Sequence, residues 1–119
     1  MSLKDIIERF ALVSGLDMED VSRFLPLLAD CREFFESRMA DGLSDADIRR
    51  AANACAAYAF YRVTLLGRMD DLSSFKVGDV QMNIKAAGEA AEKLWAAERE
   101  SVSDIVDIGG EFAFRSVRI

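Results

Sequence analysis

The sequence predicts a mainly α-helical bundle of about four helices, with a small two-stranded β element formed by residues 75–82 and 112–119. Three observations lead there. Apolar residues recur at helical spacing behind capping side chains, as Leu3, Ile6, Ile7, Phe10 and Val13 do behind Ser2. Two stretches, "AANACAAYAFYRVTLL" and "KAAGEAAEKLWAAERE", are rich in alanine, the strongest helix former. Between and after them, "SSFKVGDVQMNI" and "EFAFRSVRI" carry the β-branched and aromatic residues that suit a strand.

The elements follow in order. Ser2 with Asp5 reads as the start of a first helix, and Gly15 as its end. Asp17 offers a second cap, with Val21, Phe24 and Leu25 as a short apolar face. Pro26 belongs in the first turn of the next helix, where its missing N–H costs little. That helix is predicted to run to about Met39 and to bury Leu27, Leu28, Cys31, Phe34 and Phe35.

"ADGLSDAD" is a loop, closed by Ser44 with Asp47 as a capping pair. A third long helix follows over residues 45–66, with Gly67 as its stop. Within residues 51–66 only Asn53, Arg62 and Thr64 are polar, so this helix has no proper solvent face. It is shorter than the roughly 20 apolar residues of a membrane span, and Arg62 lies inside it. It is therefore expected in the core, with one side meeting another subunit.

A fourth long helix is expected over residues 83–108, with Glu89 and Lys93 as an i,i+4 pair and Gly109 and Gly110 as its end. Trp95, Val102 and Val106 form its core or interface stripe. In the β-like stretch, Phe75, Val77, Val80 and Met82 are the apolar residues of one bent strand or tight hairpin, and Gly78 permits the turn. The only other strand-like segment is the tail, so the two are expected to pair. A two-stranded sheet is marginal alone and needs a covering surface.

Composition narrows the function. The 119 residues make one domain, 1–119, and the net charge is −6 with a pI near 4.6. Such a balance repels nucleic-acid phosphates and anionic membranes. Histidine is absent, which removes the commonest general base and metal ligand together. Cys31 and Cys55 have no metal-type spacing and read as buried thiols, and "MSLKDIIERF" is not a secretory signal.

A helix-turn-helix is suggested by Ala11, Gly15, Leu16, Val21 and Phe24. Its recognition helix would present Asp17, Glu19 and Asp20 against Arg23 alone, so a helical hairpin with acidic caps is the better reading. Asp41, Asp45 and Asp47, and likewise Asp70 and Asp71, lack the ligand pattern of a calcium loop and read as caps and loops. No nucleophile, phosphate-binding glycine loop or cofactor site is evident, so no enzyme is expected.

From "AANACAAYAFYRVTLL" through an acidic connector, "SFKVGDV", a long alanine-rich helix and the final "FAFRSVR", the chain resembles the small head–tail connector (adaptor) proteins of long-tailed bacteriophages and prophages. The similarity covers about residues 51–118 and is sharpest at "FKVGDV" and "FAFR". It implies a helical bundle that assembles as a ring, dodecameric when complete, beneath the portal of the filled head. Such a ring extends the DNA channel and offers a docking surface to the stopper or tail-completion protein. The partners implied are further copies of the chain, the portal and the stopper, with DNA only as passing cargo and no membrane. The location implied is the virion neck, with the host cytoplasm before assembly. The residues expected at the subunit or partner interface are Phe75, Val77, Val80, Met82, Phe112, Phe114, Arg115 and Val117. The alternative reading is a small bacterial helical interaction or regulatory module.

Overall fold

A computed structural model describes residues 1–70, 76–77, 80–81 and 84–108 of the chain. Five helices make up most of it: α1 (Leu3–Ser14), α2 (Met18–Ser22), α3 (Leu25–Glu36), α4 (Asp45–Asp70) and α5 (Ile84–Ser101). The mainly helical bundle is what the sequence predicts.

Local chemistry explains most of the boundaries. Ser2 Oγ accepts from the Asp5 amide at 3.0 Å and starts α1. Gly15 ends it at φ 74°, a left-handed position that glycine takes without a Cβ penalty, and its N–H returns to Ala11 O. Asp17 Oδ1 accepts from the Asp20 amide at 2.9 Å to start α2, and Ser44 Oγ accepts from the Asp47 amide at 3.1 Å to start α4. Pro26 sits in the first turn of α3.

Helix α4 is the axis of the bundle, with α1, α3 and α5 packed around it. Over residues 51–60 only Asn53 is exposed; Ala51, Ala52, Ala54, Cys55, Ala56, Ala57, Ala59 and Phe60 are buried and Tyr58 is half-buried. Alanine's small side chain lets backbones approach closely from every direction, so a helix with no solvent face is covered within one chain. On α5 the facing side is equally small: Ala87, Gly88 and Ala91 are buried, while Glu89, Ala90, Glu92 and Lys93 are exposed. Tyr58 meets Trp95, and Arg50 meets Ser101, so α5 runs antiparallel to α4. Helix α3 also runs antiparallel to α4, with Phe34 on Tyr58 and Cys31 beside Arg62.

Three boundaries differ from the sequence reading. Helix α3 stops at Glu36 rather than near Met39. There Ser37 Oγ donates to Phe34 O at 2.9 Å and Arg38 donates to the same carbonyl at 3.3 Å, which terminates the helix with side chains. Helix α4 runs through Gly67 to Asp70, because a glycine inside a helix costs only about 1 kcal/mol. Helix α5 ends at Ser101, and residues 102–105 form turns instead. Val102, Ile105, Val106 and Ile108 are all buried, so their apolar spacing is kept without a helix. Glu89 and Lys93 are both exposed and form no ion pair.

Two short ladders complete the described residues. Lys76–Val77 (β1) pairs antiparallel with Val80–Gln81 (β2), Val77 opposite Val80, across the Gly78-Asp79 step. Met39 and Val106 form an isolated antiparallel bridge, with Ala40 N donating to Ile105 O at 2.9 Å and Asp107 N to Arg38 O at 2.8 Å. The predicted pairing of 75–82 with 112–119 involves a segment, 112–119, that lies outside the described residues.

Candidate interaction surface

The core is closed around an aromatic seam. Phe35 is fully buried and lies edge-on to Trp95 at 6.0 Å between centroids, while Tyr58 lies 4.9 Å from Trp95 and stacks on Phe34 at 5.3 Å. The Arg38 guanidinium caps this row over the Phe34 ring at 3.9 Å, and Arg62 lies 5.8 Å over Tyr58. Trp95 thus serves as core, together with Val102 and Val106.

Polar groups inside the described residues are satisfied rather than poised. No buried side-chain nitrogen or oxygen among them lacks a hydrogen bond. Thr64, fully buried, donates to Tyr61 O at 2.7 Å, and Ser14 Oγ accepts from the Leu16 amide at 3.3 Å. Asn53 and Arg9 join α4 to α1 by a short hydrogen bond in which the guanidinium donates. Both cysteines are free and buried, and burial pushes the Cys31 thiol up to about 11, against the pull of Arg62. Burial raises the Cys55 thiol as well. Neither is an activated nucleophile.

Of the acidic residues singled out from sequence, Asp47 has a structural role, while Asp71 lies outside the described residues. Asp47 holds Arg50 at 2.8 Å, and Arg50 reaches onward to Asp104 Oδ1 at 2.9 Å and to Ser101 O at 2.5 Å. The clamp joins the first turns of α4 to the end of α5, and it satisfies a carbonyl that a helix C-terminus leaves open. Hydrogen bonding to Arg50 holds the Asp104 carboxyl below its ordinary range. Among the described residues no three His, Cys, Asp or Glu side chains are grouped to hold a metal. Nor is any described helix long and apolar enough to cross a membrane.

The would-be recognition helix α2 has five residues, too few to lie along a major groove, and its exposed side carries Glu19 with Arg23 pairing to Asp20. The α1–α2 corner instead exposes large apolar side chains. Leu12 is 82% exposed, Met18 57%, and Leu25 and Val13 a little over a third; Leu66 on α4 is also exposed. Asp17 and Glu19 flank Met18. Sequence periodicity places Val13 on the buried stripe of α1 and assigns Leu12 no role. The exposure of Leu12 could have been read from its place on the line of Lys4 and Glu8, four residues apart.

Of the interface residues predicted from sequence, Val77 and Val80 are brought opposite each other in the β1–β2 ladder. Phe75, Met82, Phe112, Phe114, Arg115 and Val117 lie outside the described residues. A second surface was missed altogether. Residues 38–40 and 103–107 line an open groove of about 400 Å³ beside the Met39–Val106 bridge. No local signal foretells a pairing between chain segments so far apart.

Comparison with protein-family models, curated proteins and solved structures gives no match.

Proposed function

We propose that the chain is a structural neck protein of a bacteriophage or prophage, a ring subunit that joins the portal of the head to the stopper or tail and extends the DNA channel. The supporting observation is the order of elements. Alanine-rich α4 leads to a connector whose β1–β2 ladder falls in "FKVGDV", and alanine-rich α5 follows. That is the order in which the resemblance to head–tail connectors places them. Order of elements is a fold-level argument, so charge and surface chemistry matter beside it. A net charge of −6 suits a channel wall that passes DNA without holding it. Leu12, Met18 and Leu25 supply exposed apolar area for contact with other chains.

The 51–60 stretch of helix α4 does not add to this support, since all of it but Asn53 is covered by its own chain or half-buried. In this reading the protein has no catalytic role, cofactor or membrane association. Its partners are copies of itself in a dodecameric ring, the portal and the stopper, and it acts in the virion neck after assembly from the host cytoplasm. The two-stranded element of residues 75–82 and 112–119, with Phe112 and Phe114 on one strand face and Arg115 on the other, contributes to the joint.

Removal of residues after Gly110 tests it. Circular dichroism should show the helices retained, because their apolar stripes lie upstream, while co-purification with the cognate portal is lost. Undiminished portal binding by the shortened chain would reduce the tail to local packing. If the full chain too fails to bind the portal encoded beside it, the alternative of a helical interaction or regulatory module takes over.

A further inference from the structure

We draw no further inference here: the strongest candidate, the apolar surface patch of Leu12, Val13, Met18 and Leu25 around the α1–α2 corner, carries no proposal because nothing in the structure shows what covers it.

Discussion

Helix α4 and the α1–α2 corner make opposite use of apolar residues. Residues 51–60 of α4 are mostly alanine and, apart from Asn53, are buried or half-buried, whereas the corner holds leucine and methionine and leaves them in solvent. Mean hydropathy alone would have sent the partner to α4. The difference teaches that a demand for a partner lies in large side chains a fold leaves outside. A small-residue helix can be satisfied by its own neighbours, because alanine allows three helices to reach it. The exposed Leu12 is left uncovered by the described residues.

The comparison can be broken most severely at the aromatic seam against which α4 packs. Phe35→Ala removes a fully buried ring touching Phe34, Tyr58 and Trp95. It should cost about 3–5 kcal/mol, read by urea titration. Next comes overpacking of α4 itself. Ala56→Leu puts three carbons where no space is exposed, and should cost about 1–3 kcal/mol. A neutral result there would show that α4 is loosely held and could still open a face to a neighbour.

A smaller effect should appear on acidification. The Asp104 carboxyl is held below its ordinary value by Arg50, so its contribution is complete above the unfolded carboxyl range. It is lost as pH falls through the lower folded value. Asp104→Asn should therefore lower Tm at neutral pH and flatten its decline below about pH 4, the unfolded carboxyl range. An unchanged profile would mean that the clamp is dispensable.

The smallest effect belongs to the corner. Leu12→Ser should leave the monomer's stability within about 0.5 kcal/mol, as exposed sites do, while weakening any assembly that buries the patch. Analytical ultracentrifugation beside a thermal melt separates the two. A large loss of monomer stability would show that Leu12 is packed after all.

What could be read from sequence was local. Ser2, Gly15, Asp17, Pro26 and Ser44 each act within one turn, so residue type and spacing suffice, and the bundle's helices follow. Leu28, Cys31 and Phe35 were readable for the same reason, since the 3.6-residue repeat places them together on α3. The early end of α5 was not readable, because it depends on Arg50 reaching Ser101 from the start of another helix. The surface reading fared differently by residue. Val77 and Val80, both on the apolar pattern of their stretch, are opposite each other, whereas the Met39–Val106 bridge arises from a contact that no local pattern encodes.

That contact also bears on the order in which the chain folds. Bringing residues 39 and 106 together closes a loop containing the whole of α4 and α5. Closing a loop of roughly 70 residues costs on the order of 4 kcal/mol in chain entropy, more than two backbone hydrogen bonds return at about 1 kcal/mol each. The α4–α5 hairpin must therefore form first and carry Ile105, Val106 and Ile108 into place, with the bridge fastening last. On unfolding the sequence reverses. The amides of Ala40 and Asp107 should then exchange with solvent sooner than those of the α4 interior, through an opening that leaves the bundle itself intact.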